Sequence, residues 1–459
     1  MNAARSLWSE NYRWVTLGAV ALVFLAAIQS LAVTTVMPVV SADLDGESLY
    51  AVAFAGTLAT SVIGMVVTGL WSDRSGPVAP LYAAVALFAT GLLIAGFADT
   101  MELLVLGRLI QGLGIGGQTV ALYVVVARVY PSDLHGRVFA LFSAAWVVPS
   151  LIGPFLAGAV AEYLHWRWVF LGVAVLTVLA FILVATRLRE VDLSAAEQGS
   201  GSPSVARRLG LAIVVAALAV VLSLTGRVTA DYGAVIGWII AGAALIALAI
   251  AVRPLLPKRT LLAGRGLPAV IVMRGLVAGT LFGAEVYVPL LLTTQYGFGP
   301  TMAGLALTVA AIAWAVAAEV QGRYGDRLGN KRIAVIGISL LAFATITGAV
   351  TALLHLPAFV LITAWMFAGG GVGLIYPRLT VLTLAYSSTE NQGFNSAALS
   401  ISDSLGSSAA IALMGLIFIS LGSAGLAFGM VFIAATLLAA LALVPGLRMS
   451  RIAEPGQPS

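Results

Sequence analysis

A chain of 459 residues that is 61% hydrophobic and only 9% charged, with a mean hydropathy of +1.05, is too apolar for a water-soluble protein, where about a quarter of the residues carry charge. It contains no cysteine, which excludes disulfides and thiolate metal centres, and its three histidines, His135, His165 and His355, are far apart in sequence, which argues against an imidazole metal cluster. The formal charge of +5 raises the question of a nucleic-acid partner, and the placement of the charge has to answer it.

The first apolar run, roughly 15–40, follows Arg5 and Arg13 and stops at Pro38 and the acidic turn Asp43 to Glu47. At about 26 residues it is longer than a signal-peptide core and reads as a retained span, since about 20 apolar residues cross the hydrocarbon. Further runs lie at roughly 50–71, 78–97, 101–128, 138–161 and 167–187. Residues 188–208 are polar, with Glu190, Asp192, Glu197 and the stretch Gly199 to Pro203, and read as a flexible linker. Two more runs, about 209–226 and 233–252, predict a hairpin across a short turn carrying Arg227 and Asp231. After the basic loop Arg253 to Arg265 come runs at 268–293, 301–321, 332–354, 357–386, 395–420 and 424–447. The expected fold is an all-α integral membrane protein with fourteen transmembrane helices. Its parts are a six-helix bundle in 1–187, a linker and two inserted helices in 188–267, a second bundle in 268–447, and a cytoplasmic tail in 448–459.

Charge placement supports this count, because cytoplasmic loops collect Lys and Arg. With the N-terminus inside, two of the 24 basic residues fall outside (Arg167, Arg227) and three within spans (Arg108, Arg274, Arg378), leaving nineteen in cytoplasmic segments. The positive charge is therefore topological, and no nucleic-acid partner is expected. The two bundles also align. Gly69-Leu70-Trp71-Ser72-Asp73-Arg74-Ser75-Gly76 shares a Gly-x-x-x-Asp-Arg-x-Gly pattern with Gly322-Arg323-Tyr324-Gly325-Asp326-Arg327-Leu328-Gly329, and Asp73 and Asp326 are 253 residues apart, as are the span starts at 15 and 268. Parallel six-helix repeats are a known transporter plan.

Three stretches carry a family resemblance. The repeated charged turns are the first, the second copy continuing into Asn330-Lys331-Arg332 while the first loses its basic pair. The second is Arg108-Leu109-Ile110-Gln111-Gly112-Leu113-Gly114, and the third is Pro149-Ser150-Leu151-Ile152-Gly153-Pro154-Phe155-Leu156-Ala157-Gly158. Together they resemble the major facilitator superfamily, specifically its fourteen-span drug:proton antiporter group, over nearly the whole chain. The resemblance implies that Gly69, Asp73, Arg74, Gly322, Asp326, Arg327, Lys331 and Arg332 form a conformational latch, and that Gly153 and Pro154 mark a bending helix typical of exporters. It departs at the first span, where Gln29 stands at the position usually held by Asp, and at Pro149 and Ala157, which replace glycines.

From the residues themselves, Gly112-x-Gly114-x-x-Gly117 matches a dinucleotide fingerprint, but no strand precedes it and close helix packing explains it better. Proton coupling needs a titratable group in a water-accessible site inside the membrane. Glu285 qualifies, at a depth similar to Arg108, and Asp403 lies at the depth of Arg378 and close to that of Arg274. Glu319 lies four residues before Arg323 and reads as half of a local ion pair. The candidate proton-coupling and substrate-binding residues are therefore Glu285, Asp403, Arg108, Gln29, Gln111 and Arg378, with Trp146, Trp314, Tyr287, Trp365 and Tyr376 available as an aromatic lining. Under the 253-residue offset, Glu285 maps onto Ala32, about one turn from Gln29.

The expected function is proton-coupled export of small amphipathic or cationic compounds such as drugs, by alternating access in a bacterial plasma membrane. The runner-up is an exporter of the same fold for a lipid, metabolite or amino acid, not necessarily proton-coupled. No catalytic constellation, cofactor or metal is expected beyond the proton gradient. The expected partners are a small-molecule substrate and the lipid bilayer, with the monomer as the working unit.

Overall fold

The computed structural model describes residues 7–9, 12–188, 203–387, 391–421 and 424–449, and among these the regular structure is helical. The polar linker expected at 188–208 lies largely outside the described residues, as does the tail beyond 449. Sixteen α-helices follow one another: α1 (Arg13–Asp43), α2 (Tyr50–Ser75), α3 (Val78–Gly96), α4 (Met101–Val129), α5 (Ser132–Tyr163), α6 (Arg167–Leu188), α7 (Pro203–Ser223), α8 (Thr225–Tyr232), α9 (Ala234–Ala251), α10 (Leu267–Glu285), α11 (Tyr287–Tyr296), α12 (Pro300–Leu328), α13 (Asn330–Leu354), α14 (Ala358–Ala385), α15 (Gln392–Ser420) and α16 (Ala424–Arg448). They make fourteen segments long and apolar enough to cross a membrane, because α7 with α8, and α10 with α11, each form one span. This is the expected number.

The charged turns are helical for most of their length. α12 runs through Gly322, Gly325 and Asp326 to Leu328, and the chain reverses at Gly329 alone, whose φ of 78° suits a residue without a Cβ. Gly76, with φ 79°, does the same between α2 and α3. The expectation that the whole motif is a turn is thus corrected. Likewise Arg227 and Asp231 sit on α8 as an i,i+4 pair at 3.0 Å, and Gly233 makes the turn of the hairpin.

The helices group into two compact units, one of residues 1–217 with 299–304, the other of 218–298 with 305–459. Within the first unit, α1 packs on α5 and α6, and α3 on α4 and α6. Within the second, α10 packs on α15 and α16, and α13 on α14 and α16. The same pattern therefore occurs twice, as a parallel repeat requires.

Glycine pairs set the closest approaches. A Cβ at Gly112 or Gly116 would strike the carbonyls of Thr57 and Ser61 on α2, one at Gly114 would strike Phe88 on α3, and one at Gly117 would meet Thr68 on α2 and Ala84 on α3. In the second unit, Gly369 and Gly373 stand in the same way against the carbonyls of Ala310 and Trp314. Thr57 and Ala310 are 253 residues apart, whereas Gly112 and Gly369 are 257 apart. The second unit thus carries one extra helical turn before its fourth span. That shift makes Trp365 the counterpart of Arg108.

Candidate functional site

In the first unit the polar residues converge on α4. Arg108 is buried; its Nε donates to the carbonyl of Ala53 at 3.0 Å and a terminal nitrogen donates to Gln111 Oε1 at 2.7 Å. No carboxylate pairs with it among the described residues. Arg108 turns into the bundle, where its charge is desolvated, instead of snorkelling to the membrane surface. Gln111 keeps Nε2 without a partner, and Gln29 on α1, fully buried, has neither amide atom hydrogen-bonded. Gln118, which the sequence reading did not single out, donates to Leu22 O at 3.0 Å and leaves its own Oε1 unpaired. A buried polar atom without a partner costs about 1–3 kcal/mol, so such a set suits a polar ligand or ordered water.

The second unit holds the acidic counterpart. α10 ends at Glu285 and the chain resumes as α11 at Tyr287. The break has a local cause: Pro289 has no N–H to give the carbonyl four residues earlier, and that carbonyl belongs to Glu285. Glu285 keeps partial surface exposure inside the bundle and makes no ion pair among the described residues. The indole of Trp365 on α14 faces it, and Trp365 Nε1 makes no hydrogen bond of good geometry.

Asp403 behaves differently. Arg274 Nε meets its Oδ1 at 2.6 Å, and the same guanidinium lies 3.5 Å from the ring centroid of Tyr376. Both Glu285 and Asp403 lie within electrostatic reach of the Tyr376 hydroxyl, which makes no hydrogen bond of good geometry among the described residues. Trp314 closes this wall edge-on to Tyr376 at 5.4 Å. Tyr287 is buried, its ring tilted against Phe418 at 5.3 Å between centroids, while Trp146 is exposed. The arrangement combines one carboxylate without an ion pair among the described residues, one neutralised carboxylate and an aromatic surface, which can accept a proton or an organic cation.

The latch residues form a separate group. Arg378 donates to Asp326 at 2.7 Å and, through Nε, to Asn330 Oδ1 at 2.7 Å, tying α14 to the α12–α13 corner. Arg378, read from sequence as a core binding residue, thus has the latch carboxylate as its partner. Asn330, next to Gly329 in the motif, is the residue of this group that its sequence position alone does not mark as a partner for Arg378. Glu319 and Arg323 form the expected i,i+4 pair at 2.6 Å on an exposed face. Arg327, Lys331, Arg332 and Arg74 are exposed, and Arg128 donates to the Ser72 carbonyl at 3.3 Å. Gly69 is half-buried beside Val120 and Gly322 is open, while the side chain of Asp73 lies outside the described set. Gly153 and Pro154 are buried inside α5, which continues through both Pro149 and Pro154.

Comparison with known proteins adds family evidence. The Major Facilitator Superfamily model matches residues 19–283 and 270–458. An MFS transporter of Phoma sp. is 26% identical over 86% of this chain and 68% of its own length. An uncharacterized MFS-type transporter of Mycobacterium tuberculosis is 27% identical over 87% of this chain, which spans 58% of that relative. The multidrug efflux pump SdrM of Staphylococcus aureus is 25% identical over 79% of each chain. The crystal structure of the peptide transporter POT in complex with sulfate superposes with a TM-score of 0.68 at 15% identity, covering 95% of both chains, a likeness of fold.

Proposed function

Because the chain belongs to the Major Facilitator Superfamily, we propose that it is a proton-coupled secondary exporter of small amphipathic or cationic compounds, working by alternating access. The observation that carries this reading is Glu285, a partly accessible side chain with no ion pair among the described residues, faced by Trp365 and within electrostatic reach of Tyr376, whose ring meets Trp314 edge-on. Deprotonated, it attracts an organic cation, and the aromatic rings add about 0.5–2 kcal/mol of cation–π attraction. Protonated from outside, it loses that attraction and the substrate leaves. A ligand shifts a two-state equilibrium only by its differential affinity, so proton and substrate must exclude each other at this carboxylate. The multidrug relative in Staphylococcus aureus supports the substrate class.

In this reading the protein works as a monomer in a bacterial plasma membrane, needs no cofactor beyond the proton gradient, and keeps both ends of the given chain cytoplasmic, where its Lys and Arg concentrate. The Gly-Pro pair in α5 lets that helix bend, and the Arg378 group holds one end of the second unit. The test is a proteoliposome assay with a cationic dye under an imposed pH gradient. Gradient-driven dye movement lost in Glu285→Gln supports the proposal; movement unchanged in that variant sinks the coupling role.

A second reading, a carrier of a metabolite or amino acid, is favoured by Arg108. A buried guanidinium with no carboxylate partner among the described residues, bonded to Gln111 whose Nε2 is unpaired, in a unit where Gln29 also leaves both amide atoms unpaired, suits an anionic or amide-bearing substrate. Movement of such a compound, with no dye movement, would decide for it.

A further inference from the structure

The loop between α9 and α10 has more construction than a connector needs. Residues 253–265 contain Arg253, Lys258, Arg259 and Arg265, all exposed, and no acidic residue; Arg448 at the end of α16 adds a fifth exposed cation. Two short 3-10 turns, Arg253–Leu255 and Thr260–Leu262, give the loop its shape. Val252, Leu255, Leu256, Thr260 and Ala263 are buried and root it. The Thr260 hydroxyl donates to Pro257 O at 2.6 Å, and a terminal nitrogen of Arg448 donates to the carbonyls of Leu262 at 2.9 Å and Ala263 at 3.1 Å.

Two backbone positions are forced. Arg259 has φ 65° and Ala263 φ 48°, left-handed conformations that L-residues keep only where the surroundings impose them. The result of this shape is outward presentation of two leucines, Leu261 at 44% and Leu262 at 76% exposure, between the cations. Facing water, two leucines held outward by a strained loop have no use. The loop, however, joins two spans and is tied to the end of a third, so its surroundings are the edge of the bilayer.

We propose that 253–265 and Arg448 form a binding site for an anionic phospholipid. Leu261 and Leu262 enter the acyl boundary, and Lys258, Arg259, Arg265 and Arg448 meet the headgroup phosphate. Charge complementarity and continuity with the spans select this occupant: five cations without an acid repel a basic partner, and the exposed leucines need hydrocarbon. A cation near such a surface contributes about a fivefold gain in association, which salt weakens.

The test measures association of spin-labelled phosphatidylglycerol and phosphatidylcholine with the full chain in reconstituted bilayers. The expected result is preference for phosphatidylglycerol, reduced about fivefold for each of Lys258→Gln and Arg265→Gln. Arg259→Asn, which tolerates the left-handed backbone, behaves the same way. The charge-keeping variants Lys258→Arg and Arg265→Lys retain the preference and show that loss does not come from misfolding. Arg323→Gln, at an exposed cation outside the loop, changes nothing, and Leu262→Ser weakens both lipids. Equal association of the two lipids with the unaltered protein, or a preference that survives the neutralising variants, overturns the proposal. So does full displacement by millimolar inorganic phosphate, which would mark a free-anion site.

Discussion

Arg274 holds Asp403 at 2.6 Å, and so of the two carboxylates in the core of the second unit only Glu285 is left without an ion pair among the described residues. The two acids therefore have different jobs. Asp403 offsets the charge of a guanidinium that also lies on the Tyr376 ring, whereas Glu285 is available to a proton or a substrate.

This separation predicts opposite phenotypes. Asp403→Asn leaves Arg274 without its counter-charge. The pair keeps 18% and 27% exposure, between a surface pair worth up to about 1 kcal/mol and a buried pair whose rupture costs about 3–5 kcal/mol. A loss near 2 kcal/mol is expected, read as a lower thermal midpoint in detergent. Glu285→Gln breaks no ion pair among the described residues and should leave that midpoint within about 0.5 kcal/mol of the parent while abolishing gradient-driven transport. Equal destabilisation by the two changes would contradict the division of roles.

How much of this was readable beforehand depends on the kind of information. The fourteen spans were legible because about 20 apolar residues in a row are a local property, and the repeat was legible because Asp73 and Asp326 keep their spacing. The helical continuation through Gly322 to Leu328 was not: a helix leaving the hydrocarbon changes its side chains without changing its backbone, and only Gly329 needs φ above zero. Depth placed Asp403 near both Arg274 and Arg378, but depth does not specify rotation about a helix axis, which decides the partner. The pairing of Trp365 with the position of Arg108 was hidden by the one-turn insertion, which shows only when Gly112 and Gly369 are seen against equivalent carbonyls.

The latch yields a graded series. Asp326 is 93% exposed in its side chain, so Asp326→Asn should cost no more than about 1 kcal/mol. Arg378 is 13% exposed and serves both Asp326 and Asn330, so Arg378→Ala should cost about 2–3 kcal/mol, and Arg378→Lys an intermediate amount because one ammonium does not reproduce the two-bond fork. Thermal unfolding of the three variants gives the order directly; a larger loss in Asp326→Asn than in Arg378→Ala would refute it.

The glycine contacts predict intolerance to volume. At Gly116 an added Cβ meets the Ser61 backbone carbonyl, an atom that no side-chain rotation can move aside. Gly116→Val should therefore push α2 from α4 and cost about 3 kcal/mol or more, with little folded protein recovered after extraction. At Gly322, where an added Cβ meets nothing, Gly322→Ala should be neutral or slightly stabilising through the helix preference for alanine. Recovery measured by size-exclusion profile separates the two cases.

The helix break beside Glu285 is the most direct link between backbone and transport. Pro289 withholds a hydrogen bond from the carbonyl of Glu285, and α10 ends at that residue. Pro289→Ala restores the N–H and relieves the ring's clash with the carbonyl, so α10 and α11 should join into one helix across the span Leu267–Tyr296. A regained interior hydrogen bond contributes about 0.5–1.5 kcal/mol, which predicts a raised thermal midpoint. Straightening the helix also turns the residues on its two sides of the break relative to each other, and Glu285 lies at that point. The variant should then be more stable and yet slower in gradient-driven transport, with slower amide exchange at 286–290. A Pro289→Ala protein that transports at the parental rate while its amides become protected would show that the break serves folding and not the carboxylate.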